Sequence, residues 1–161
     1  MDTIPGVDRH SAEVLLAELG TELERFPSAA HLASWAGMCP GNHESAGKRR
    51  GGRTRKGSTW LRRALIEAAC GAVRSKQVGR TALAGHYRRL VTRRGRQKAI
   101  VAVGHRLLII VYHVLRHGQS YQEPTPTDLD QRRRCRARNR AIDQLRQLGY
   151  AVTVTPNPAA A

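Results

Sequence analysis

Residues 97–117, QKAIVAVGHRLLIIVYHVLRH, decide how the rest of the chain is read. Ile100, Val103, Leu107, Ile110, Val111 and Val114 recur at intervals of three and four, the period of one helix face. Leu108, Ile109 and Val101 make most of the remaining surface apolar too, so the segment predicts a helix buried nearly all round. A bilayer span needs about 20 predominantly apolar residues. The apolar run here, Ala99 to Leu115, is shorter and has His105 and Arg106 at its centre, which favours a protein core over a membrane. The sparse polar line Lys98, His105, Tyr112 and Arg116 is expected to face a cleft or a bound strand.

A helix buried on all sides needs other helices around it. Upstream, residues 58–75 predict one with a broad apolar face of Trp60, Leu61, Ala64, Leu65, Ala68, Ala69, Ala72 and Val73, and with Arg63, Glu67 and Arg74 opposite. A further helix is expected over 81–93, joined to the central one by the basic turn RRGRQ. Near the start, FPSAAHLASWAG reads as a short helix capped by Ser28, with Leu32 and Trp35 inward and Gly37 ending it. The chain's 161 residues suffice for one such domain, and 40% apolar residues with only 4% aromatics suit packed helices of Leu, Val, Ile and Ala. The expected fold is therefore mainly α: a compact helical domain.

The two ends add smaller units. IPGVDRHSAEVLLAELG, from Ile4, reads as a turn at Pro5 and Gly6, then a helix with Val14, Leu15 and Leu19 on its apolar face and Gly20 as its stop. It looks like the hairpin and second helix of a helix-hairpin-helix, a motif whose turn offers backbone N–H groups to phosphate. Asp8 stands where the second glycine belongs and would repel phosphate, so packing is an equal reading. At the other end, YQEPTPTD is a Pro-broken linker, and Thr127 with Asp130 resembles a capping box for a helix over 128–148 that opens with RRRCRAR. YAVTV then alternates like a short strand, before a Pro-Ala tail expected to be disordered. The expected organisation is a partial helix-hairpin-helix over 1–20, a helical core over 21–121, a linker over 122–127 and a C-terminal unit over 128–161.

Charge points to a partner. The formal net charge is +16, and between Ser45 and Gln119 nineteen Lys or Arg residues face one acid, Glu67. Such a density repels itself unless a polyanion neutralises it, and nucleic acid is the first candidate. Arg outnumbers Lys 24 to 4, and guanidinium forks match phosphate oxygens and guanine edges. Cys39, Cys70 and Cys135 are odd in number and widely spaced, which predicts reduced thiols in a cytoplasmic protein, and Met1 to Pro5 leads straight into a turn with no signal peptide.

The chemistry concentrates in residues 41–57, GNHESAGKRRGGRTRKG, expected to form a long basic Gly-rich loop. Ser45 is its one serine. A serine hydroxyl becomes a nucleophile only when a base or metal takes its proton and cations stabilise the charge building on phosphorus oxygens. Gly47, Gly51 and Gly52 let backbone approach a phosphate, and Lys48, Arg49, Arg50, Arg53, Arg55 and Lys56 can supply the cations. His43 would share a side with Ser45 in an extended segment, as a candidate base. On spacing alone, a plain phosphate hydrogen-bonding role is the favoured reading of Ser45 over that of a nucleophile. Two-metal hydrolysis needs a carboxylate cluster, and after Glu44 the main body offers Glu67 alone. Cys39, His43, His113 and His117 are chemically able to hold zinc, but neither pair has the tight spacing of persuasive zinc sites, and no metal site is predicted.

The ordered strings IPGVDRHSAEVLLAELG, RFPSAAHLASWAGMCPGN, ESAGKRRGGRTRKGSTWLRRALIEAA and LRQLGYAV, spanning roughly residues 3–154, resemble the C-terminal transposase domain of the insertion-sequence 110 family, the bridge-RNA-guided DNA recombinases of mobile elements. The resemblance implies that Ser45 attacks DNA and forms a covalent phosphoserine link. It also implies that Lys48, Arg53, Lys56, Arg62 and Arg63 hold DNA or guide RNA, and that the protein works as a homo-oligomer or beside a full-length member. Family members begin with a RuvC-like nuclease domain whose acids bind Mg²⁺. The present sequence carries no such domain, so the expectation is a truncated product with no cofactor of its own, inactive without that domain. The alternative is a non-enzymatic, degenerate DNA- or RNA-binding remnant.

Overall fold

The computed structural model describes residues 1–21, 23–39, 43–50, 54, 56–74 and 81–155; positions 43–45, 48–50 and 126 are described by backbone alone. Among them are six helices and two strands: α1 (Arg9–Leu19), α2 (Ala29–Trp35), β1 (His43–Ser45), β2 (Lys48–Arg50), α3 (Thr59–Arg74), α4 (Ala82–Arg94), α5 (Arg96–His117) and α6 (Pro126–Gln147). The fold is mainly α, as the apolar periodicities imply. The chain divides into two compact units, residues 1–123 and 124–161.

In the first unit α5 is the axis: α2, α3 and α4 all pack on it, and α1 packs on α3. Ala99, Ile100, Val103, Gly104, Leu107, Leu108, Val111 and Tyr112 are its buried residues. Burying a Val or Leu side chain fully contributes on the order of 1.5–3 kcal/mol, so this face alone accounts for much of the unit's cohesion. By length and composition α5 could cross a membrane; one face packs into the core, while Val101, Ile109, Ile110, Val114 and Leu115 are only half-buried, so the helix is less enclosed than its all-round apolar surface predicts. Tyr112, expected to face a cleft, is buried instead. Its hydroxyl donates to the Phe26 carbonyl at 3.0 Å and accepts from Arg116 at 2.6 Å, so the ring packs inward while its one polar atom is satisfied.

Helix α3 buries Leu61, Ala64, Leu65, Ala68, Ala69 and Ala72. The run of alanines lets the N-terminal turn approach closely. Gly6, at φ +83°, lies so near α3 that a Cβ there would sit 2.3 Å from the Ala68 carbonyl oxygen and 2.5 Å from the Ala72 nitrogen. The turn then enters α1 through Asp8, whose Oδ1 accepts from the Ser11 amide at 2.8 Å as an N-cap. Hydrogen bonds from Ser11 hold that carboxyl below its usual range. Asp8, which looked like a departure from a phosphate-binding turn, thus has a structural task. Arg25 closes the other end of α1, donating to the Leu19 carbonyl at 2.9 Å.

Several expected boundaries shift. Gly95 alone separates α4 from α5, in place of a five-residue turn, and serves as the C-cap of one and the N-cap of the other. In the second unit the capping box is Thr125 with Asp128, not Thr127 with Asp130, and the linker is correspondingly shorter. Pro126 explains the choice, since its fixed φ suits the first helical position. Residues 150–155 form no strand, against the alternation of YAVTV. Five residues without a partner edge have nowhere to place their ladder hydrogen bonds. The Pro-Ala tail lies outside the described residues.

Candidate nucleic-acid interface

Part of the basic loop expected over 41–57 is a β-hairpin. β1 and β2 pair antiparallel in the register His43↔Arg50, Glu44↔Arg49 and Ser45↔Lys48. Ala46 and Gly47 make the two-residue turn with φ of 51° and 71°, the positive pair that matches the twist of a two-stranded ribbon. Glycine adopts this freely; alanine does so at a cost of roughly 1 kcal/mol. Both turn residues are exposed. Because cross-strand partners share a face and alternate positions return to it, positions 43, 45, 48 and 50 fall on one face of the ribbon. Positions 44 and 49 fall on the other. By backbone register, the positions of the candidate nucleophile, the candidate base and two basic residues thus share one face.

The remaining candidate residues are placed as follows. Arg53 and Arg55 lie outside the described residues. Lys56 is exposed, Arg62 half-buried and Arg63 exposed. Arg63 pairs with Glu67 at 3.0 Å one turn along α3, an exposed and screened ion pair that leaves most of its surface in solvent. Gly57 anchors the return of the chain to the core: a Cβ there would meet the Ala36 carbonyl carbon and oxygen at 2.4 Å. Ser58 then caps α3, accepting from the Leu61 amide at 3.2 Å while its hydroxyl donates to Glu18 at 2.7 Å. The segment leading from the hairpin into α3 is therefore fixed at two successive residues.

Two tryptophans expected inside are not. Trp35 is 45% exposed, its ring tilted against Phe26 at 5.3 Å between centroids with the Arg25 guanidinium at 5.3 Å. Trp60 is 67% exposed. The buried stripe of α3 is centred about 100° around the helix from Trp60, and Trp60 stands in the first turn, where its ring projects past the core. Its position at the edge of the apolar arc was the signal in the sequence.

A separate polar cluster lies where α2 ends near α5. Cys39 Sγ is 3.9 Å from His105 Nε2. Burial pushes the His105 imidazole below its ordinary pKa; His86 is lowered too, by burial first and then by Arg106, Arg89 and His105. Among the described residues no group of three His, Cys, Asp or Glu side chains is arranged to hold a metal. His113 and His117 stack on each other, with centroids 5.8 Å apart. The described residues therefore offer no fit for the Mg²⁺ that the family resemblance implies, and no step is assigned to a metal here.

Residues 1–84 match the family described as Transposase IS116/IS110/IS902. The chain belongs to that transposase family. It is 32% identical over 122 residues to the candidate transposase y4pF/y4sB of Sinorhizobium fredii, a match covering 74% of this chain and 31% of that protein. It is also 29% identical over 132 residues to an uncharacterized 43.6 kDa protein of insertion element IS110 from Streptomyces coelicolor, covering 81% of this chain and 31% of that protein. The chain thus spans about a third of the length of these curated relatives. The matched 84 residues include the hairpin and α3.

Proposed function

We propose that this chain is the serine-bearing part of a DNA recombinase, working in the cytoplasm on the strands of an insertion sequence. In this reading the Ser45 hydroxyl attacks a phosphodiester. The Ser45 Oγ–P bond forms, one P–O bond to the sugar breaks, and the sugar oxygen leaves as a hydroxyl. The proton lost by Ser45 passes to a base, for which His43 is the candidate, and a proton is handed back to the departing sugar oxygen, so that protons balance over the step. One phosphoester replaces another, so the step needs no external energy source and its reversal rejoins a strand.

The observation that carries this reading is the register of the ribbon, with positions 43, 45, 48 and 50 on one face beside an exposed turn. Cations there would stabilise charge developing on the phosphoryl oxygens. Lys56, Arg62 and Arg63 would extend the positive surface along which a DNA strand or guide RNA would run, and Arg49, Arg53 and Arg55 add charge to the same stretch of sequence. A RuvC-like nuclease domain, on the same polypeptide or a partner, would supply the carboxylates and Mg²⁺ that complete the chemistry. A homo-oligomer or a full-length relative would bring the two together.

The test mixes the full chain with an intact relative carrying that nuclease domain, guide RNA, Mg²⁺ and DNA, and counts covalent protein–DNA product on this chain. The expected result is product with the wild-type chain and none with Ser45→Ala. Equal product from Ser45→Ala would overturn the assignment. Binding to duplex DNA should fall with salt at a log-log slope near −0.9 per phosphate contacted. Salt-dependent binding with no product under any complementation would favour a non-enzymatic DNA-binding remnant.

A further inference from the structure

Trp60 is a large aromatic ring left two-thirds in solvent, and the surface around it is polar. Lys56, Gly57, Thr59 and Arg63 are exposed, whereas Leu61, on the far side of the helix turn, is fully buried. A site for a protein partner would join such a ring to a contiguous apolar patch and exclude charge from its centre. Among the described residues, the exposed neighbours of Trp60 in sequence include Lys56, four positions before it, and Arg63, one helix turn after it. Trp35 already has Phe26 and Arg25 against it; among the described residues no ring or cation–π contact covers Trp60. The backbone that carries the ring is anchored. Gly57 packs on the backbone of Ala36 and Gly37, and Ser58 caps α3 immediately before it, so a ligand would meet a presented surface without first ordering it. Nine residues, with Arg53, Arg55 and Lys56 among them, separate it in sequence from the end of β2.

An exposed π face flanked by Lys and Arg is how proteins grip unpaired nucleotides: the base stacks on the ring while the cations follow the phosphates. We infer that Trp60 stacks an unpaired base of the DNA strand bound along the basic surface and so fixes the register of that strand. The inference rests on the DNA-binding reading above and adds to it a residue that recognises bases.

The experiment uses the full chain with Trp35→Phe, so that Trp60 is the one fluorophore of its kind. Titration with a single-stranded oligothymidylate should quench Trp60 emission. An abasic oligonucleotide of equal length, or heparin, should bind without quenching. Trp60→Ala should weaken oligothymidylate binding about tenfold and leave heparin binding unchanged, and Trp60→Phe should restore most of the affinity where Trp60→Leu does not. Salt-dependent binding with no quench and no effect of Trp60→Ala overturns the stacking role and leaves the DNA-binding reading standing. No binding to any polyanion overturns both. Quenching by oligouridylate alone overturns the assignment to DNA. Concentration-dependent self-association that Trp60→Ala abolishes would make the ring a contact between copies and also overturn it.

Discussion

The turn at Ile4–Asp8 and the turn at Ala46–Gly47 both carry a glycine at positive φ, and in sequence both read as places where backbone could meet a phosphate. They serve opposite ends. Gly6 is pressed against the backbone of α3 at Ala68 and Ala72, and the residue that follows the turn, Asp8, is engaged in capping α1. Among the described residues, nothing lies within 4 Å of where a Cβ at Gly47 would be. A glycine can thus signify either a close approach inside the molecule or a hinge of exposed backbone. What separates the two is the company: an apolar helix follows the first, and a basic ribbon flanks the second.

Adding one methyl group at each turn tests that contrast. Gly6→Ala combines a backbone clash with an unfavourable φ and is expected to cost about 3 kcal/mol or more, seen as a large fall in the urea midpoint of the full chain. Gly47→Ala meets no neighbour and carries only the φ penalty, about 1 kcal/mol at most. A comparable loss at both sites would mean that the hairpin turn is packed, contrary to the structure. Ser45→Ala on the ribbon is expected to change stability by less than about 0.5 kcal/mol, because its proposed role lies in chemistry and not in packing. A large loss of fold with that variant would move Ser45 from the reacting surface to the core.

The smallest effect expected is one of pH. His86 and His105 have folded-state pKa values lowered below the ordinary value, mainly by burial. As pH falls through about 6.5, the unfolded chain therefore takes up protons before the folded one, and stability is present above that point and lost below it. The melting temperature should drop from neutral to mildly acidic pH, and His86→Gln combined with His105→Gln should flatten that drop. An unchanged slope in the double variant would show that these imidazoles are solvated.

Much of the helical core was legible from spacing. Ile100, Val103, Leu107 and Val111 on α5, and Leu61, Leu65, Ala68 and Ala72 on α3, lie where their three-and-four periodicity puts them. What periodicity misreads are amphipathic residues at the margin of a stripe. Tyr112 lies in line with Lys98, His105 and Arg116 in the sequence, yet its ring buries well once the hydroxyl finds the Phe26 carbonyl. Trp60 and Trp35 fall on apolar faces by spacing, yet both stand at the rim of the core. The hairpin was invisible because neither strand alternates polar with apolar residues, and Ala-Gly is a weak turn signal beside Asn-Gly. Ser45 stood out by its chemistry and by the resemblance to a family, while its neighbours across the ribbon became evident only from the strand register.

The most direct measurement of the central claim is to locate the covalent bond. The full chain would be reacted with DNA in the presence of an active full-length relative, guide RNA and Mg²⁺, digested with protease and nuclease, and the modified peptide read by mass spectrometry. A nucleotide remnant on Ser45, in the peptide that spans the hairpin turn, is the predicted result. A remnant on any other side chain of this chain, or none while the relative remains active, would contradict it.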